Sequence, residues 1–522
     1  MQVITPEASD MRAIQQRDGA FYFSGCFDAV LMQNGIVAAH PEPLGPGIVT
    51  REFPDPNALD PARPYVFEGP LSEELIASDG LDVETLEAEQ LMLYDAEHTA
   101  FSNLCYQTIT VRWIPPVGSK ANPEMLPFKP KDPRWRQDSF KFQKFDVSDG
   151  VRPILYAELS DGERIVVGVQ KANRIYLGVP VLGILVQHLV CPPVYDTSFC
   201  VNDKHIVPYY VWNWLHKIVR DMAFQTGWLY ARVSPWPAGK EAAFCIRHDF
   251  DRPAKLDELK DLLEFYAAHG VKSTWFWRLC QAEDELFDLV SRHGHELALH
   301  TEREGRTGFI EEELGTFAAQ FGLDLRGYSA HGGRGTCGCL GQRQFKWAAQ
   351  AGLEYGELLS VDNELPVPCV LVNDDLPEIT DLWLPGTHYS IDRGTAPDAY
   401  DLDRPREYAD RRAKHGGQIV IMNHPDIHLE PLKKFVAETD FENVWHATLL
   451  ESVRWCRQRC GLSATRSNKG EIVLLQDGPL DHAVEVWLEG VGENVEAERR
   501  VLSADFRRAV IHPDAHSGLA AE

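Results

Sequence analysis

Between residue 240 and about residue 460, short apolar runs alternate with amphipathic stretches at regular spacing. Ala242 to Ile246 is unbroken by polar residues, ends in Arg247, His248, Asp249 and Asp251, and is stopped by Pro253. A run of this kind reads as a buried strand that delivers polar groups at its C-terminal end. Ala254 to His269 follows, with Leu256, Leu259, Leu262, Leu263 and Tyr266 on one helical face and Gly270 as the stop. The alternation then repeats. Strands are predicted at Ser273–Arg278, Glu296–His300, Gly327–His331, Leu353–Glu357, Asp381–Leu384 and Gln418–Asn423. Helices are predicted at Asp284–His293, Phe309–Phe321, Gln342–Ala351 and Arg404–His415. With Phe244–His248 this makes seven strands separated by helices or crossovers, the pattern of a parallel sheet, most simply closed into a barrel.

The flanking regions follow other rules. Before residue 105 prolines are frequent, and one helix is expected over Val83–Glu97. Thr108–Trp113 alternates as a strand. Ile154–Leu159 and Arg164–Val169 flank an Asp161-Gly162 turn and read as a hairpin, with a third strand at Arg174–Leu177. Tyr209–Phe224 reads as a helix. Beyond Cys460, Glu471–Leu475, Ala483–Leu488 and Arg508–His512 look like antiparallel strands, with Asp477-Gly478-Pro479 as a turn between the first two. The expected organisation is an accessory mixed α/β region over 1–235, a barrel over 236–465 and a small β extension over 466–522.

Composition narrows the function classes. The chain has 522 residues and a formal charge of −27, the wrong sign for a phosphate-binding surface, so nucleic acid is not an expected partner. Residues 1–20 carry charges throughout, and the longest apolar run, Ile175–Val186, is broken by Gly178, Pro180 and Gly183. Neither a secretory signal nor a membrane span is expected from them. The 11 cysteines show no disulfide framework, which points to a reducing, cytoplasmic setting. The expected partner is a small-molecule or glycan substrate, with homo-oligomerisation left open.

Chemistry enters through where the polar residues fall. Asp249 and Asp251, His300, His331, and His424 with His428 all sit at or just past predicted strand C-termini. In a parallel barrel those ends converge on one mouth, where catalytic groups collect. Carboxylates and imidazoles gathered there suit metal-assisted hydrolysis. A metal polarises a carbonyl and acidifies water, a carboxylate takes the proton of that water, and an imidazole returns one to the leaving group.

Five segments resemble the polysaccharide deacetylase family, also called NodB-homology or carbohydrate esterase family 4, in the branch whose first motif reads Arg-His-Asp-Val-Asp. They are Arg247-His248-Asp249-Phe250-Asp251-Arg252-Pro253, Gly270-Val271-Lys272-Ser273-Thr274-Trp275-Phe276, Gly294-His295-Glu296-Leu297-Ala298-Leu299-His300, Ser329-Ala330-His331-Gly332 and Ile419-Val420-Ile421-Met422-Asn423-His424-Pro425. The resemblance implies a distorted (β/α)7 barrel and metal-dependent removal of an acyl group, acetyl or formyl, from an amino-sugar or glycan precursor. By that analogy Asp249 is the base, His424 the acid, and Asp251 and His300 ligands of one divalent metal, zinc being the expected ion. The family's second metal histidine is replaced here by Glu304, so Glu304, Glu302 or His331 would complete the ligand set. The arginine that orients the base in the family is not in its usual motif, and Arg326 or Arg247 would take that role. His248 and His428 are further candidates. Two other readings stay open: hydrolysis of a non-sugar amide or cyclic ureide on the same barrel, and a non-catalytic carbohydrate-binding relative.

Overall fold

The computed structural model describes residues 37–39, 65–68, 71–88, 90–95, 109–112, 140–159, 161–179, 214, 218, 221, 230–301, 308–331, 339–357, 365–373, 376–386, 388–391, 402–414, 416–426, 429–459, 461–466, 472–476, 478–489, 498–511 and 520–521. At its centre is one mixed sheet. Its strands are β1 (Ala242–Phe250), β2 (Ser273–Trp277), β3 (Glu296–Thr301), β4 (Gly327–Ala330) and β5 (Tyr355–Glu357). They continue with β6 (Val367–Asn373), β7 (Leu376–Leu384), β8 (His388–Ser390), β9 (Gln418–Asn423) and β10 (Val444–His446). The ladder runs β6-β7-β5-β4-β3-β2-β1-β9-β8, and β10 pairs with the start of β1. Only the β6–β7 pair is antiparallel. From β7 to β8 the parallel run counts eight strands where the sequence pattern predicts seven. The addition is β8, three residues long and too short to show a period.

Among the described residues the two ends of the ladder do not pair, so the sheet is curled rather than closed. The curl is deep. Glu357 on β5 and His388 on β8 lie six ladder steps apart, roughly 29 Å on a flat sheet at roughly 4.8 Å per step. Yet Glu357 Oε1 is 2.7 Å from His388 Nδ1.

Helices cover the outside in the order the pattern predicts: α1 (Leu256–His269), α2 (Asp284–Arg292), α3 (Phe309–Phe321), α4 (Cys339–Gln350) and α5 (Asp403–Lys414). Leu259, Leu262, Leu263 and Tyr266 of α1 face a core that holds Phe244, Ile246, Trp275, Trp277 and Leu299. α1 ends where Gly270 takes a left-handed conformation, φ 63°, and its N–H returns to the last turn. Two further helices, α6 (Leu429–Glu438) and α7 (Leu449–Arg459), complete the wrap.

α7 caps the barrel at the end opposite the strand C-termini. The amides of its first turn would otherwise be orphaned, and side chains of the sheet accept them. Leu449 N–H donates to Thr274 Oγ1 at 2.9 Å and Leu450 N–H to Glu296 Oε2 at 3.0 Å. Tyr355 Oη donates to Glu296 Oε1 at 2.8 Å. Burial pushes the Glu296 carboxyl from its ordinary value of 4.5 up to about 7, against the pull of these donors. The folded chain thus holds this proton to higher pH than the unfolded chain does, so stability falls as pH rises from about 4.5 to about 7. Glu296→Gln should flatten that part of a denaturation-midpoint-against-pH curve; an unchanged slope would contradict it.

Gly327, at the start of β4, is where backbone meets the Tyr355 ring. A Cβ there would overlap ring atoms and the hydroxyl. The ring is fully buried and tied to Glu296, so it cannot swing aside. Gly327→Ala should cost about 1–3 kcal/mol in a denaturant titration.

The flanking regions depart from the sequence expectation in two places. The described part of Val83–Glu97 is not helical: Asp82–Ala88 and Gln90–Asp95 are strands, the first antiparallel to Phe140–Asp146 and the second paired with Ile109–Arg112 and Val151–Glu158. Its Leu, Glu and Gln residues favour a helix locally, and strand pairing outweighs that weak preference. The second departure is at the C-terminus. Ile472–Gln476 pairs with Leu462–Arg466 and Arg508–Ile511, whereas Val484–Glu489 lies in another sheet beside Tyr230–Pro237 and Glu498–Leu502. Gly478-Pro479 therefore leads from one sheet to the next rather than turning a hairpin.

The predicted hairpin is present, with Val151–Glu158 antiparallel to Arg164–Lys171 and Arg174–Leu177 as third strand. Most of Tyr209–Phe224 lies outside the described residues. Among the described residues no helix is long and apolar enough to cross a membrane.

Candidate active site

Side chains alternate across a strand, so positions 247, 249 and 251 share one face of β1 and its exit, and 248 and 250 the other. The inner face carries Arg247, Asp249 and Asp251. The outer face packs under α1: Phe250 stacks on Trp277 with ring centroids 3.9 Å apart, and His248 lies 4.1 Å from the Trp275 ring. His248 Nε2 is 2.9 Å from Tyr266 Oη. His248 is thus a buried packing residue beneath α1, away from the mouth, which corrects its candidacy for the site.

Asp251, just past the end of β1, gathers three imidazoles. His300 Nε2 from β3 lies 3.0 Å from Asp251 Oδ1. His331 Nε2, just past β4, and His424 Nε2, just past β9, each lie 3.5 Å from Oδ2. Three strand exits therefore deliver one histidine each to the carboxylate from a fourth. Burial alone would raise the Asp251 pKa, but His300, His424 and His331 together hold it far below the ordinary carboxylate range. His300 is itself 1% exposed, and burial lowers its pKa despite the pull of Asp251, with the charge of Arg247 adding to the lowering.

One detail of this cluster bears on metal binding. His300 Nδ1 lies 3.2 Å from the Ser329 carbonyl oxygen, which can only accept. Nδ1 is thus tethered inside the protein, and Nε2 is the nitrogen presented to Asp251. Asp251 Oδ1 is buried with no hydrogen-bond partner, although Nε2 stands 3.0 Å away. Nε2 and Oδ1 at that separation can share a divalent cation as readily as a proton. An imidazole anchored through its other nitrogen to a carbonyl is also the usual support of a metal-bound histidine. The donor set of carboxylate oxygen and imidazole nitrogens suits a divalent ion such as zinc.

Asp249 is organised differently. Its Oδ1 pairs with Arg247, and its Oδ2 faces the cluster, 3.9 Å from His300 Nε2. Arg247, 1% exposed, also pairs with Glu357 at the end of β5 and donates to Ser329 Oγ at 3.3 Å. The Arg247 guanidinium thus orients Asp249. Arg326 does not: it precedes β4 at the far end of the sheet and pairs with Asp324 at the surface, a correction to its candidacy for the role.

Of the predicted residues, Asp249, Asp251, His300, His331, His424 and Arg247 converge. Glu302, Glu304 and His428 lie outside the described residues. Glu357 and His388 belong to the site and were not predicted.

No protein-family model matches the chain, and no curated protein matches it. Solved structures similar to it include a polysaccharide deacetylase from Bacillus cereus, with 12% identity over 40% of this chain and 91% of that one at a TM-score of 0.28. A carbohydrate esterase family 4 (CE4) esterase from Streptococcus mutans aligns at 15% identity over 40% and 86%, with a TM-score of 0.28. A peptidoglycan deacetylase from Bacillus subtilis aligns at 11% over 44% and 95%, with a TM-score of 0.26. At TM-scores this far below 0.5, the chemistry of this chain has to be argued from its own residues.

Proposed function

We propose that this chain is a metal-dependent hydrolase that removes an N-acyl group, acetyl or formyl, from an amino-sugar or glycan precursor. The observation that carries the reading is the facing pair of His300 Nε2 and Asp251 Oδ1 at 3.0 Å, with two more imidazoles against the same carboxylate and a second carboxylate beside them. The choice of an acylated sugar rests on the resemblance of the five sequence segments to polysaccharide deacetylases.

Asp251, His300 and His331 would hold the metal, which when bound supplies Lewis acidity to the acyl oxygen and to the attacking water. Asp249 does the proton work on the attacking side. Arg247 occupies one of its oxygens, which leaves Oδ2 to accept a proton from water. His424, 12% exposed in its side chain at the rim, is available to donate a proton to the departing nitrogen. An amide nitrogen leaves only once protonated, so both transfers are needed. The buried walls around Asp249 and His300 keep bulk water from competing for these protons.

The test is release of acetate or formate from N-acylated amino sugars and their short oligomers, with zinc supplied and then chelated. Release that stops on chelation and returns with metal is the expected result. A zinc-loaded protein that releases neither acid from any of them would contradict the reading.

A further inference from the structure

Behind Asp249 stands a buried assembly of which the acid–base chemistry uses only Arg247. The Arg247 guanidinium meets Asp249 and Ser329 through Nη2 and Glu357 through Nη1. The other oxygen of Glu357 accepts from His388 Nδ1 at 2.7 Å, and that same nitrogen is 3.4 Å from Arg247 Nη1. Arg247, Asp249, Glu357 and His388 are all under a tenth exposed.

A guanidinium is a planar fork, and fixing one tine fixes the direction of the other. Glu357 grips the Nη1 tine. The Nη2 tine, and with it Asp249 Oδ1, is then aimed in one direction. Glu357 is in turn fixed by His388, whose strand β8 is at the far end of the ladder from β5. The contact thus braces the carboxylate across the open side of the curled sheet. A carboxylate can only accept, so His388 presents a protonated Nδ1 to it.

We propose that Glu357 and His388 are positioning residues that act through Arg247 to hold the Asp249 carboxylate with Oδ2 turned into the site. The proposal rests on the deacylase reading above. Misplacing a reacting group by about 1 Å can cost about 100-fold in rate, so loosening the brace should lower kcat and leave substrate and metal binding alone.

The experiment is steady-state kinetics on zinc-loaded full-length protein with an N-acetylated amino-sugar oligomer. It compares the wild type with Glu357→Gln, His388→Leu and His388→Asn, each checked for native circular dichroism. His388→Leu and Glu357→Gln should lower kcat by about tenfold or more, with KM and zinc stoichiometry unchanged. His388→Asn keeps an N–H donor close to the position of Nδ1 and should recover most of the loss. On an Asp249→Asn background, His388→Leu should cost nothing more, because the group it positions is already gone. Should His388→Leu fail to fold, Glu357→Gln and His388→Asn give the same comparison.

A wild-type kcat in both His388→Leu and Glu357→Gln would overturn the proposal. So would a His388→Leu loss that persists undiminished on the Asp249→Asn background. A wild type that releases no acetate or formate would instead sink the deacylase reading, and this inference with it.

Discussion

Asp249→Asn is expected to lower kcat by about two to four orders of magnitude while leaving fold and zinc binding intact. The asparagine oxygen can still accept from Arg247, so the buried guanidinium keeps a partner at that point. What disappears is the acceptor for the proton of the attacking water. The three imidazoles meet Asp251, and the nearest approach of Asp249 to any of them is 3.9 Å, so its loss does not dismantle that cluster. Rapid-quench or steady-state kinetics beside a zinc determination checks both halves. Full activity in the variant would remove Asp249 from the base role, and lost zinc would make it a ligand.

The largest effect on stability is expected from Arg247→Met. Arg247 is the cation between two buried carboxylates, Asp249 at 7% and Glu357 at 2% exposure. Burial raises the Glu357 pKa, and Arg247 and His388 more than reverse this, holding it below its ordinary value. Removing the cation strands both charges in a poorly solvated interior, which costs about 3–5 kcal/mol. The neutral pair Arg247→Met/Glu357→Gln should recover part of that loss, since one stranded charge is then gone. Chemical denaturation of both variants tests the account. A single mutant as stable as the wild type would mean that the two carboxylates do not depend on Arg247.

The parallel sheet and most of the site were legible in the sequence for the same reason. Each long strand is an apolar run closed by a Gly-stopped helix, and polar residues at its end have little reason to be there unless the strand ends meet. Asp249, Asp251, His300, His331 and His424 all follow this rule. Glu357 follows it too, as the carboxylate that ends the predicted strand Leu353–Glu357. His388 could not be found that way. It opens a strand of three residues that follows Pro385-Gly386, with no periodicity to mark it.

The orienting arginine was separable too. Arg247 lies near the C-terminal end of the predicted strand Phe244–His248, whereas Arg326 precedes the predicted strand Gly327–His331, and in a parallel sheet that places the first at the mouth and the second at the far end. The strands of 82–95 were hidden because their residues favour a helix locally, and distant pairing partners decided otherwise.

The central claim is that Asp251, His300 and His331 hold one divalent metal ion. The direct measurement is calorimetric titration of metal-stripped protein with zinc, repeated on Asp251→Ala, His300→Ala and Asp249→Asn. The account predicts one zinc per chain in the wild type and in Asp249→Asn, and no binding in Asp251→Ala or His300→Ala. No binding by the wild type, or binding that survives Asp251→Ala unchanged, would contradict it.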